Sequence, residues 1–164
     1  LWGGFVLVRG YEPVDIVRIR VPEDLWCTII HPHIEIQTRA SRKLLPDSVP
    51  LRDLIIQTGN AAGLIAGLLT NDYALIGRSL HDVVAEPARS HTIPGFVEMK
   101  AAALGAGALG CSISGSGPSL FALSTKKETA DRIALSMGTI LDTKNCPHTV
   151  FVSRICSTGA RIIS

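Results

Sequence analysis

The apolar run from Leu109 to Leu123 is interrupted by Ser114-Gly115-Ser116-Gly117-Pro118. On either side, Leu109–Ser114 and Ser119–Ser124 read as strands. Strands joined by so short a break pair antiparallel, so the segment dictates a hairpin-like unit late in the chain. A plain hairpin turn needs about two such residues, and this one has more. The surplus has two readings. It is a long turn, or it is a concave nest of backbone N–H groups that attracts an anion. The pattern alone leaves the two level. It is not a P-loop, because no Lys follows the glycines and a strand follows where a P-loop has a helix N-terminus.

Around that hairpin the pattern is mixed. Phe5–Arg9, Ile16–Val21 and Leu25–His31 are rich in Val, Ile and aromatics and predict strands. Leu51, Leu54, Ile55, Thr58, Ala62, Leu64, Ile65 and Leu68 recur at helical spacing and predict an apolar stripe. Asn71-Asp72 predicts a stop and a fresh N-cap, with a second helix from Tyr73 to about Val84. Pro87 argues for a loop over Glu86–Thr92. Pro94-Gly95 opens a third helix, with Phe96, Met99, Ala103 and Leu104 inward. Lys127–Leu141 predicts an amphipathic helix, and Thr149–Arg154 and Ala160–Ile163 predict closing strands.

From Trp26 onward the order is strand, helices, strand, strand, helix, strand. That is the split βαβ pattern of a ferredoxin-like α+β fold, with an antiparallel four-stranded sheet and extra helices in the first crossover. The helices are expected on one face of the sheet.

Composition excludes several functions. A net charge of +2, with no run of Lys or Arg, argues against a nucleic-acid surface. Aromatics at 5% argue against stacking platforms for single strands. No apolar stretch reaches the roughly 18 residues of a membrane span. Cys27, Cys111, Cys146 and Cys156 lack CxxC spacing and read as free thiols of a reducing, cytoplasmic compartment. His31 and His33 share a strand face but lack a third ligand, so no zinc site is called for. Asp82 and Glu86, four apart on the predicted helix, have two readings: an acid–base pair, or, more simply, a helix-end cap and a surface acid. Arg89, between Pro87 and Pro94, has two readings, a solvated loop Arg or a rigidly placed fork for a carboxylate or phosphate. Arg42, in the polar stretch Thr38–Ser48, projects from a short turn or helical segment.

Three stretches together resemble a known family. "ISGSGPSLFAL" from Ile113 is similar to the third, glycine-rich motif of the GHMP small-molecule kinases. "DVVAEPARSHTIPGF" from Asp82, "TRASRKLLP" from Thr38 and "STGARII" from Ser157 resemble the homoserine kinases within that superfamily. The resemblance runs along the whole chain and matches the C-terminal part of those enzymes. It implies ATP- and Mg²⁺-dependent phosphorylation of the L-homoserine side-chain hydroxyl, in threonine biosynthesis. It implies that Arg42 and Arg89 hold the substrate, and that Ser114, Gly115, Ser116 and Gly117 lie close to the nucleotide phosphates. Members of the family often dimerise, so the resemblance also implies a homodimer as an expectation.

The family's ATP-cradling loop and its metal-holding acids belong to an N-terminal half. The expectation is therefore that residues 1–24 are strands linking to a missing kinase domain, and that 25–164 form the GHMP kinase C-terminal domain. Such a piece is expected to hold no catalytic residue, no metal and no cofactor, and to be inactive alone. Two alternatives are another GHMP small-molecule kinase and a stand-alone ferredoxin-like module that binds amino acids.

Overall fold

A computed structural model describes residues 2–162. Two strands, β1 (Phe5–Tyr11) and β2 (Val14–Ile19), pair antiparallel around Glu12-Pro13 into a two-stranded sheet of their own. The remaining strands are β3 (Trp26–Pro32), β4 (Gly110–Ile113), β5 (Leu120–Ser124) and β6 (His148–Arg154). They form one antiparallel sheet in the order β4-β5-β3-β6. Thr28 sits opposite both Ala122 and Val152, so β3 lies at the centre. The order and directions are those of a split βαβ unit, as the alternation of elements predicts.

Six helices lie between or beside these strands: α1 (Thr38–Lys43), α2 (Leu51–Thr70), α3 (Tyr73–Ser79), α4 (Ala85–Arg89), α5 (Phe96–Gly105) and α6 (Lys127–Thr143). The α2–α3 corner follows its sequence signals. Asn71 closes α2 in the left-handed conformation, and the Asp72 carboxylate accepts a hydrogen bond of 2.8 Å from the Leu75 N–H. Gly67 lets the two helices touch, because a Cβ there would lie 2.9 Å from Ile76 Cγ1.

The sheet is covered on both faces, not one. Ile30, Cys111, Leu120 and Ala122 pack with Met99 and Ala103 of α5 and Ile133, Met137 and Leu141 of α6. Leu123 and Cys27 point the other way, into a second cluster with Leu68 of α2 and Ile76 of α3. The cause is the uninterrupted apolar run of β5, which supplies apolar side chains to both faces by simple alternation. Full burial of a side chain such as Met137 or Leu141 contributes about 1.5–3 kcal/mol.

Other expectations need correction. Leu51, Leu54, Ile55, Thr58 and Ala62 of the expected stripe are exposed; Leu64, Ile65 and Leu68 are inward as expected, joined by Ile56, Gln57, Asn60 and Gly67. Leu104 is exposed as well. The second helix ends at Ser79. Residues 86–92 are not a loop, because Pro87 falls in the first turn of α4, where no helical acceptor awaits its missing N–H. No strand forms over 155–162; of the expected closing strand, Ile163 lies outside the described residues, as does Leu1 at the other end.

Candidate functional site

The Gly/Ser turn at the tip of the β4–β5 hairpin is built from inward-facing carbonyls. Ser114 N–H donates to Ser119 O at 2.8 Å and Gly117 N–H donates to Ser114 O at 3.0 Å, closing the turn. Gly115 and Gly117 take positive φ, +61° and +82°, a region that L side chains rarely adopt. The Gly117–Pro118 peptide bond is cis. Gly115 O accepts from Arg89, Ser116 O accepts from Ser41, and Gly117 O accepts from the Ser116 hydroxyl. Among the described residues, the N–H groups of Gly115 and Ser116 meet no acceptor. They are left as free donors at the tip.

Arg89 joins three elements. It lies at the end of α4 and is 9% exposed. Its Nε donates to Ser41 O in α1 at 3.3 Å, and its Nη1 donates to Gly115 O at 3.1 Å. The Nη2 group takes no part in these bonds. Ser41 is itself buried and donates its hydroxyl to Ser116 O at 3.1 Å. Arg42, the next residue along α1, is exposed. The structure thus brings Arg89, α1 and the Gly/Ser turn into one bonded cluster, with Arg42 beside Ser41 on α1 and its guanidinium making no hydrogen bond among the described residues.

Next to the turn, α2, β4 and the segment after α3 line an open cleft of about 270 Å³ that includes Gln57, Asn60, Asp82, Ser112 and Ile113, the last adjoining Ser114. Asn60 Nδ2 donates to His81 O at 2.7 Å, and Gln57 Oε1 accepts from Val83 N–H at 3.0 Å. A larger depression of about 800 Å³ lies beside β2, near Arg18 and Asn71, and holds none of the candidate residues.

Asp82 is a cap: its Oδ1 accepts from the N–H groups of Val84 and Ala85, each at 2.8 Å. Glu86 is not the expected surface acid. Its side chain is 12% exposed, and its two oxygens accept from Lys100 Nζ at 2.5 Å and Ser112 Oγ at 2.9 Å. His31 and His33 are tied to hydroxyls, those of Ser119 and Thr149, each at 2.8 Å. Among the described residues no three His, Cys, Asp or Glu gather as a metal site would require. All four cysteines are free, and burial pushes Cys111 up to about 12 and Cys27 to about 11.

Sequence reasoning overlooked Ser41, Gln57, Asn60 and the partners of Glu86. A signal existed for two of them. Gln57 and Asn60 fall three apart on the side of α2 that also holds Leu64 and Leu68.

The family description "GHMP kinases C terminal" matches residues 64–141, a span that includes α4, Arg89 and the Gly/Ser turn. The chain carries a GHMP kinase C-terminal domain. Relatives of this GHMP kinase domain are found across wide distances. The homoserine kinase of Chlorobium phaeobacteroides (strain DSM 266) is 52% identical over 98% of the chain. That of Arabidopsis thaliana is 34% identical over all of it. The crystal structure of homoserine kinase from Cytophaga hutchinsonii superposes with a TM-score of 0.96, at 54% identity over 99% of the chain. The mevalonate kinase of L. major shares the fold, with a TM-score of 0.66 at 15% identity and 96% coverage of the chain. The chain spans about half the length of these relatives: 51%, 45%, 51% and 51% respectively.

Proposed function

We propose that this chain is the C-terminal half of an ATP-dependent homoserine kinase, which makes O-phospho-L-homoserine for threonine biosynthesis. One observation carries the reading: in a chain similar to homoserine kinases along nearly its whole length, Arg89 bonds both α1 and Gly115. A carboxylate-binding fork and an anion-facing turn therefore share one bonded unit.

The division of labour follows from the donors. Homoserine is a small zwitterion, and its carboxylate suits the guanidinium groups of Arg42 and of Arg89 through Nη2. The N–H groups of Gly115 and Ser116 suit phosphate oxygens. ATP with Mg²⁺ supplies the phosphoryl group, and such transfer rests mainly on positioning and charge neutralisation. The turn Ser114–Pro118 carries free N–H donors and no carboxylate, which suits phosphate better than the metal. The metal-holding acids and the ATP cradle are assigned to the other half of the parent protein.

Residues 1–24 are then the strands that link to that half, and 25–164 are the C-terminal domain proper. The separate β1–β2 sheet supports this division, with Leu7 and Val14 exposed on it, as do Leu51 and Ile55 on α2. The four free thiols accord with a cytoplasmic location. A homodimer belongs to the same reading, and sedimentation of the parent protein checks it.

The test is a substrate panel. The parent protein is expected to phosphorylate L-homoserine in preference to mevalonate or sugars, while the 164-residue chain alone turns over none. A parent that prefers another alcohol overturns the substrate, and an active isolated chain overturns the division of labour.

A further inference from the structure

We propose that Glu86 is a positioning residue for Arg89, acting through α4. The inference rests on the kinase reading for its functional consequence, though its structural part stands apart from it.

α4 is five residues long, and the one residue it buries is Arg89. An isolated helix of that length does not hold itself together in water. No buried apolar side chain of its own secures it, so polar contacts must. At its start, Asp82 caps it. At its end, Arg89 reaches α1 and the Gly/Ser turn. Between them, Glu86 fastens it to α5 through Lys100 and to β4 through Ser112.

Glu86 and Arg89 are three residues apart, so one turn of helix carries both. The two grips face different partners: Glu86 holds the sheet and α5, and Arg89 holds the site. Because the Glu86 side chain is largely shielded from water, its bond to Lys100 keeps a strength that a solvated surface pair lacks. The direction of the Arg89 fork is thereby set from α5 and β4 and not only by its own two bonds.

Two variants test this in the parent protein. E86Q keeps the size of the side chain and removes its charge; K100M removes the partner. Each is expected to raise the KM for homoserine about fivefold to tenfold, with kcat and the KM for ATP within twofold. In an R89A background neither is expected to add more than twofold, because residues acting through one another are not additive. A change below twofold in both variants, or one that multiplies fully with R89A, overturns the proposal. Melting curves establish that the variants are folded at the assay temperature, and K100M carries the comparison should E86Q fail that check.

Amide exchange on the 164-residue chain reads the anchor without any substrate. Residues 85–90 are expected to exchange at least tenfold faster in E86Q, with α2 and α6 unchanged. Unaltered exchange there overturns the anchor. Faster exchange together with a parent that ignores homoserine upholds the anchor and removes the kinase reading.

Discussion

The Nη1 of Arg89 donates to the carbonyl oxygen of Gly115 at 3.1 Å, so a side chain of α4 holds the backbone of a turn 26 residues later. The bond is charge-assisted and part-buried. Its removal exposes two consequences, one on stability and one on binding. Arg89→Ala leaves the Gly115 carbonyl without its donor and the Ser41 carbonyl with the Leu44 N–H alone, and is expected to cost about 1–3 kcal/mol. Denaturant unfolding of the 164-residue chain measures this. In the parent protein the same change is expected to raise the KM for homoserine by at least tenfold, with a smaller effect on ATP. A KM unchanged within twofold excludes Arg89 from the substrate site.

The two glycines of the turn differ in their surroundings. Both have positive φ, but a Cβ on Gly115 meets nothing within 4 Å, whereas one on Gly117 lies 3.1 Å from Ile93 Cδ1. Gly115→Ala is therefore expected to cost about 1 kcal/mol, the backbone penalty alone. Gly117→Ala adds a steric conflict and is expected to cost about 2–3 kcal/mol. Equal losses in urea titrations of the two variants contradict this account.

Where α2 meets α3, space is the limit. A Cβ on Gly67 meets Ile76 Cγ1 at 2.9 Å and Asp72 O at 3.1 Å, so Gly67→Ala is expected to lower stability by about 1–3 kcal/mol. Leu51→Gln, on the exposed end of the same helix, is expected to stay within about 0.5 kcal/mol of the parent chain. Thermal melts of the pair make the comparison.

Alkali is expected to weaken the fold. Burial raises the thiol of Cys111 from an ordinary value of 9.0 to about 12, and that of Cys27 to about 11. The unfolded chain releases these protons from about pH 9 while the folded chain keeps them. The stability is therefore whole below pH 9 and is lost as pH rises toward each folded value, by about 1.4 kcal/mol per unit for Cys111. Unfolding midpoints at pH 8 and pH 10.5 test the sign. Alkylation at pH 8 gives a second measure, in which Cys156 reacts and Cys111 does not.

The order of elements was legible because each depends on short-range chemistry. Asn71-Asp72 marked the α2–α3 corner, and the alternation from Trp26 onward described the sheet correctly. The stripe of α2 was not legible at its start. Leu51, Leu54 and Ile55 keep helical spacing yet face solvent in this chain, so periodicity identified a helix without identifying its neighbour. Pro87 misled for a different reason: its effect depends on how far into a helix it falls, and α4 begins two residues earlier. The cluster at Arg89 was half legible. Residue type marked the guanidinium and the glycines, but Ser41 and Lys100 bond across 48 and 14 residues of chain, and no local pattern records that.

The tip of a hairpin ordinarily shows water both signs of the peptide dipole. Here the four carbonyls from Ser114 to Gly117 already accept from Gly117 N–H, Arg89, Ser41 and the Ser116 hydroxyl. The backbone groups that the tip leaves unpaired are the N–H donors of Gly115 and Ser116. It therefore makes a poor template for another strand, which needs free donors and acceptors in turn. The turn thus leans toward anions before it is a site for any one ligand.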